Sequence, residues 1–234
     1  MKIAIHQPEF MPWMGFFNKM ALADEYVVFD HVQFKKRYFE NRNRLITPGG
    51  DIQFLTVPVK GKDQHVQAIN NVEIDETKEW KRKFIKTLIH YYGKAPFFND
   101  YFDELNALIY DIEYTKLISL NMMFINFFRK HLGIHTPMKF SSNMNVSSYK
   151  GSDLILQICL LNKADVYLCG PSGRDYLQEE EFAKKGIIIE YIDYQCSYYK
   201  QLCDEFIPGL STLDLLFNKG PESLRIIMNL ATNP

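Results

Sequence analysis

The chain has 234 residues, 47% hydrophobic, 15% aromatic and 24% charged, with a formal net charge of −1. A chain of this length buries roughly 70% of the surface its unfolded form exposes, and this composition supplies the core, which excludes intrinsic disorder. The near-neutral balance excludes a dedicated nucleic-acid binder, because neutralising many phosphates needs a basic face. The apolar runs at 122–125 and 186–189 fall far below the ~20 residues of a membrane span. The opening Met1-Lys2-Ile3-Ala4-Ile5-His6 is too short and too polar for a signal peptide, so a soluble, cytoplasmic protein is expected. Cys159, Cys169, Cys196 and Cys203 lack paired close spacing and neighbouring histidines at ligand intervals. They read as reduced thiols, with no metal site and no cofactor required.

In chain order, residues 2–6 form a strand that runs into Gln7-Pro8-Glu9-Phe10-Met11-Pro12, where two prolines bar a regular element. The backbone of that loop must therefore find its partners elsewhere. Residues 13–23 read as a helix, with Gly15 letting it start close to the loop, and 25–30 as a buried strand rich in Tyr, Val and Phe. Strand, loop, helix, strand is a parallel, right-handed βαβ pattern. Residues 54–59 form another strand, pushed to a sheet edge by Pro58.

The middle is helical. Trp80, Phe84, Ile85, Leu88, Ile89 and Tyr92 follow helical spacing, with lysines and Arg82 opposite as a solvated face. Residues 117–132 are apolar nearly all round and read as a central helix. Ser152 is placed to cap a helix carrying Leu154, Ile155, Ile158 and Leu161. The last third returns to α/β: strand 165–169, turn 170–173, helix 176–185, strand 187–192, then Ser211 capping a helix that Gly220-Pro221 stops. The fold class is α/β: a mostly parallel open sheet flanked by helices, one domain over 1–234, with helical segment 78–132 packed on it. Ligands are expected at the carboxyl ends of the strands.

Three constellations carry candidate chemistry. His6-Gln7-Pro8 ends the first strand and is followed by Trp13; a histidine there suits acid–base work or a phosphate contact. The stretch from Asp30 through Lys35 to Asn41-Arg42-Asn43-Arg44 mixes cations, aromatics and amides. Such a mixture suits gripping a diphosphate, stacking on a base and hydrogen-bonding a sugar. Gly170-Pro171-Ser172-Gly173-Arg174-Asp175-Tyr176 joins a strand to a helix, where backbone amides can form an anion nest. It is neither a Walker loop, a dinucleotide fingerprint nor a hydrolase elbow. Asp175 has a helix-capping reading beside a catalytic one, and Gln201 is a further binding candidate. His131 and His135 read as structural.

Together with Phe206-Ile207-Pro208-Gly209-Leu210-Ser211-Thr212-Leu213-Asp214, these stretches resemble the WbqC-like protein family over nearly the whole chain. The departure is local: Gln53-Phe54 stands where a tryptophan would precede Leu-Thr-Val-Pro. The resemblance implies a bacterial protein associated with O-antigen and other surface-polysaccharide genes, often where an amino sugar carries an acyl or aminoacyl group. The start of the chain is also distantly similar in fold to pantothenate synthetase-like nucleotidyltransferases, but their His-x-x-His or His-x-Gly-His signature is missing.

The reading that follows is an amide-forming transferase on a nucleotide-linked amino sugar, taking its group from an activated acyl or aminoacyl donor or an acyl-donor carrier. In it, His6 deprotonates the sugar ammonium, Arg42 and Arg44 hold the diphosphate, and the turn 170–173 binds an anion. The alternatives are a nucleotidyltransferase and a non-catalytic sugar-nucleotide binding partner. His6, Arg42, Asn43 and the segment 170–176 are expected to share one cleft.

Overall fold

The computed structural model describes residues 1–61 and 67–230. The remaining residues of the expected unit 1–234 lie outside the described part. The chain order is β1 (Lys2–His6), α1 (Met14–Leu22), β2 (Glu25–Val28), β3 (Arg42–Ile46), β4 (Ile52–Thr56), α2 (Trp80–Tyr92), α3 (Phe98–Tyr110) and α4 (Leu117–Leu132). It continues with β5 (Met138–Phe140), α5 (Gly151–Leu161), β6 (Val166–Cys169), α6 (Glu179–Lys184), β7 (Ile188–Tyr191), α7 (Thr212–Lys219) and α8 (Ser223–Ile227). Five strands form an open sheet in the order β5-β2-β1-β6-β7, and every pairing in it is parallel. The α/β class with a parallel sheet flanked by helices is therefore the architecture of the protein.

Strand alternation builds the two faces. Ala4, Tyr26, Val28 and Leu168 join one core with Phe16 and Phe17 of α1, Phe84 of α2 and Phe124 of α4. Ile3, Ile5, Val27, Tyr167 and Cys169 point the other way, onto Ile155 and Ile158 of α5 and Phe182 of α6. The helices α2, α3 and α4 thus share a core with the sheet. Leu117, Leu120, Phe124, Phe128 and Leu132 of α4 are all buried, as its apolar character demands. Among the described residues no helix is long and apolar enough to cross a membrane.

Several local expectations are corrected. The strand expected at 54–59 is Ile52–Thr56, and it does not edge the main sheet. It pairs antiparallel with β3 in a separate hairpin, since two strands joined by a short turn satisfy each other's backbone groups locally. The short strand β5 was not foreseen; its three residues are too few to carry a periodicity. Ser152 does not cap α5, whose N-cap is Lys150; its hydroxyl accepts a hydrogen bond from the Gln178 amide at 2.9 Å instead. The expected helix 176–185 shrinks to Glu179–Lys184, preceded by a 3₁₀ turn at Pro171–Asp175. Ser211 does cap α7, accepting from the Leu213 amide.

Candidate functional site

β1 pairs with β2 on one side and with β6 on the other, while the connections after β1 and β6 run in opposite directions across the sheet. Loops leaving the carboxyl ends of β1 and β6 therefore diverge and open a crevice. The crevice has two chambers of about 400 and 320 Å³. His6, Glu9, Lys19, Tyr38, Gly170 and Ser172 line both.

The loop after β1 forms the shared wall, and it is held from several directions. Asn43 Nδ2 donates to the carbonyls of Phe10 at 3.0 Å and Met11 at 2.8 Å. Asn121 Nδ2, from α4, donates to the carbonyls of Pro8 at 2.9 Å and Glu40 at 2.8 Å. The Phe10 amide donates to Phe39 O, and the Thr212 amide to Pro12 O. These are the outside partners that a two-proline loop requires. Met11, fully buried, is held at φ 46°, a left-handed conformation that costs a side-chain-bearing residue energy and persists only where its surroundings over-determine it.

The wall carries an unusual set of titratable groups. The side chain of His6 is 29% exposed; its Nδ1 donates to Gln7 O at 3.0 Å and its ring meets Phe16 edge-on. That bond fixes the tautomer and leaves Nε2 as an acceptor, 3.9 Å from Glu9 Oε1. Burial, with the Lys19 charge nearby, pushes the imidazole down to about 3, against the push of its bond to Gln7, so it is neutral at pH 7. Burial and the neighbouring Glu40 push Glu9 up to about 8, and burial pushes Glu40 up to about 7. Burial pushes Lys19 down to about 8; its Nζ donates to Ile5 O at 3.4 Å.

These shifts set a pH dependence. Both carboxyls keep a proton in the folded protein at pH values where the unfolded chain has lost it. Their contribution to stability is full below about pH 4.5 and is lost as pH rises through about 7 for Glu40 and about 8 for Glu9. The depressed groups act oppositely: His6 stabilises above about pH 6.5 and loses this toward 3, while Lys19 stabilises above about 10.5 and loses this through 8. Comparing wild type with Glu9→Gln isolates one carboxyl, because glutamine does not ionise. The variant is expected to gain melting temperature relative to wild type between pH 5 and pH 8. A gap that stays constant with pH would show that Glu9 titrates alike in both states.

The first chamber is also lined by Gln7, Lys35, Gly173, Tyr176, Tyr167 and Cys169. Burial raises the Cys169 thiol above the ordinary cysteine value, so it is not an activated thiolate. The second chamber adds Trp13, Phe39, Arg44, Pro171, Asp193 and Tyr194. Trp13 and Tyr194 meet edge-to-face with centroids 5.6 Å apart, and the Arg44 guanidinium lies 5.8 Å from the Phe39 ring centroid. Among the described residues, no carboxylate lies within salt-bridge distance of Arg44, and its Nε is buried without a hydrogen-bond partner.

Two glycines make this chamber. A Cβ on Gly209, which has φ +70°, would lie 2.5 Å from Arg44 Nη2. A Cβ on Gly15 would lie 2.4 Å from Trp13 Cζ2, so Gly15 does more than let α1 start near the loop: the indole folds over it. Gly15→Ala is expected to push the indole into the chamber at a stability cost of about 1–3 kcal/mol, typical of overpacking. Tryptophan fluorescence and melting would register it, and an unchanged spectrum would place the indole elsewhere.

Of the residues singled out from the sequence, the crevice brings together His6, Gln7, Trp13, Lys35, Arg44, Gly170, Pro171, Ser172, Gly173 and Tyr176. The other candidates line neither chamber. Asp30 is buried and accepts from Ser141 Oγ at 3.0 Å, Ser142 N at 2.9 Å and Ser142 Oγ at 2.6 Å. Asn41 donates to Val57 O, and Asn43 secures the loop as described. Arg42 stacks over Phe54 at 4.3 Å, outside the cleft, which corrects the expectation that Arg42 and Asn43 share it. Asp175 is exposed at the end of the 3₁₀ turn and does not cap α6, whose N-cap is Gln178. Gln201 is buried in a network with Tyr199, Asp214 and the Ile207 backbone.

Sequence reasoning missed Glu9, Lys19 and Tyr38. The available signal was a lysine inside a helix otherwise flanked by Gly15, Phe16, Phe17 and Met20, where a solvated charge has no place.

The chain is similar to known proteins over nearly its whole length. It is 35% identical over 224 residues to an uncharacterized protein, Rv1507c, of Mycobacterium tuberculosis, covering 95% of each chain. No solved structure matches it significantly. Residues 7–226, which contain the loop after β1, the β3–β4 hairpin and the turn after β6, match a single family, and the chain belongs to the WbqC-like protein family.

Proposed function

We propose that this protein is a transferase of bacterial surface-glycan biosynthesis that forms an amide on the amine of a nucleotide-linked sugar. The observation that carries the reading is the pair of chambers meeting at one wall of His6, Glu9 and Lys19. Two substrates placed in them meet only there, which is what a group transfer needs. The second chamber suits the nucleotide: Trp13, Phe39 and Tyr194 offer faces for a base, and Arg44 offers a fork for a diphosphate. The first chamber, with Lys35, Ser172 and Gly173, suits an activated acyl or aminoacyl donor.

In the transfer, the amine nitrogen attacks the donor's acyl carbon, and the leaving group departs with the bonding electron pair. Starting from the ammonium, two protons are shed: one goes to the leaving group and one through the protein wall to water. The balance is R–NH₃⁺ plus R′–CO–X giving R–NH–CO–R′, HX and H⁺.

A thermal-shift panel of nucleotide-linked amino sugars, ATP and CTP tests the reading, since a ligand at 100 times its dissociation constant adds about 2.7 kcal/mol of stability. Stabilisation by an amino-sugar nucleotide, followed by an acylated product in mass spectrometry with a thioester donor, is expected. Stabilisation by ATP alone would favour nucleotidyl transfer. Binding with no product from any acyl or aminoacyl donor would leave a sugar-nucleotide binding partner.

A further inference from the structure

We infer that Glu9, rather than His6, holds the ammonium of the amine substrate at the wall shared by the two chambers and takes its proton. The inference rests on the amine-acceptor reading above and assigns its proton acceptor.

Geometry carries it. Glu9 sits on the loop after β1 and lines both chambers, yet its side chain is only 8% exposed. Its Oε2 is buried and has no hydrogen-bond partner. Its Oε1 lies 3.9 Å from His6 Nε2, beyond hydrogen-bond reach. Among the described residues no lysine or arginine pairs with it: the nearby Lys19 is turned to Ile5 O. A buried carboxyl is ordinarily paired or hydrogen-bonded, and one kept without a partner beside a cavity is a cost retained for a ligand. The backbone on either side is pinned, by Asn121 on Pro8 O and by Asn43 on Phe10 O and Met11 O, so the carboxyl is presented at a fixed position.

The neighbours decide between the two bases. Facing Glu9 are Lys19 from α1, Glu40 ahead of β3, Tyr26 from β2, Tyr38 and His6. The half-buried imidazole, already donating through Nδ1 to Gln7 O, is held far below the basicity of an amine. Proton transfer from an ammonium to it is steeply uphill. Glu9, raised by burial and Glu40, is close to a sugar ammonium in basicity, where transfer is nearly balanced. The step is R–NH₃⁺ plus Glu9 carboxylate giving R–NH₂ plus Glu9 carboxylic acid, which frees the nitrogen electron pair. His6 Nε2, unprotonated, accepts one N–H of the same group and orients it.

One consequence is independent of turnover. At pH 7 the free protein keeps Glu9 largely protonated, so an arriving ammonium must expel about one proton to water. Calorimetry at pH 7 in two buffers of different ionisation enthalpy counts it. The probes are two amine–hydroxyl pairs: dTDP-4-amino-4,6-dideoxyglucose beside dTDP-6-deoxyglucose, and UDP-glucosamine beside UDP-glucose. Wild type is expected to prefer one amine over its hydroxyl partner about tenfold or more and to release about one proton. Glu9→Gln is expected to lose the preference and the proton, while binding the hydroxyl partner within about twofold of wild type. Glu9→Asp, which keeps the charge one methylene short, is expected to keep the proton release with a reduced preference. His6→Gln, which removes the imidazole acceptor but not the carboxyl, is expected to keep the proton release and to lose only part of the preference.

An undiminished preference and proton release in Glu9→Gln would overturn the assignment while leaving the amino-sugar reading standing. Failure of wild type to bind either pair would overturn that reading and this one with it.

Discussion

Arg44→Ala is expected to weaken binding of the sugar nucleotide by about 1.5–3 kcal/mol, roughly ten- to a hundredfold, the usual worth of a hydrogen bond to a charged group. The guanidinium enters the second chamber beside Trp13 and Tyr194, pairs with no carboxylate among the described residues, and is given its space by Gly209. Lysine at this position should restore only part of the affinity, because an ammonium cannot offer the two parallel N–H bonds of guanidinium. Arg42→Ala is the internal control. Strand alternation places Arg42 and Arg44 on one face of β3, but Arg42 leans back over Phe54 at 4.3 Å. Its loss should lower stability by about 0.5–1 kcal/mol, the worth of an exposed cation–π contact, and leave affinity unchanged. Calorimetric titration of the three variants with melting curves beside it is the measurement. Equal loss of affinity in Arg42→Ala and Arg44→Ala would put the diphosphate elsewhere.

Asn43→Ala is expected to destabilise the fold by roughly 2–5 kcal/mol, since it strips partners from several buried backbone groups at once. The carbonyls of Phe10 and Met11 lose their donor, and the Arg44 amide loses the Asn43 Oδ1 acceptor at 2.8 Å. No water reaches this fully buried side chain to replace them. Part of what is lost is the clamp on Met11, whose left-handed backbone would relax and carry Glu9 with it. At about 2–4 °C per kcal/mol for a chain of this size, the melting temperature should fall by roughly 5–15 °C. Asn43→Asp, which keeps the acceptor and not the donor, should recover little. A variant melting within a degree of wild type would show that the loop after β1 is held by its other contacts.

The asparagine–arginine run shows where reading the chain alone stops. Asn41, Arg42, Asn43 and Arg44 form one polar motif in the sequence, and the fold gives each a different task. Asn41 ties to Val57 O, Arg42 covers Phe54, Asn43 holds the loop, and Arg44 faces the cleft. Strand alternation sets Asn43 on the face opposite Arg42 and Arg44, but nothing local assigns the tasks, because each is set by what an element distant in sequence presents. Gln201 and Asp30 are similar: both are polar residues near the right strands, and both are consumed by buried networks with partners 13 and 111 residues away.

The parallel α/β layout, the position of His6 and Gly170 at the carboxyl ends of β1 and β6, and the central helix α4 are all legible in the chain alone. Those features follow from short-range causes: period-two and period-3.6 apolar patterns, prolines that exclude regular structure, and the handedness of βαβ units. Which charges are buried depends instead on contacts between distant segments. Glu9 stands in an irregular loop whose exposure its sequence leaves open, and Lys19 in a helix apolar enough to flag the charge but not to say where its ammonium goes. Only the convergence of β1, β2, α1 and the chain before β3 removes them from water, and with the water goes the screening that would have held them near their ordinary ionisation.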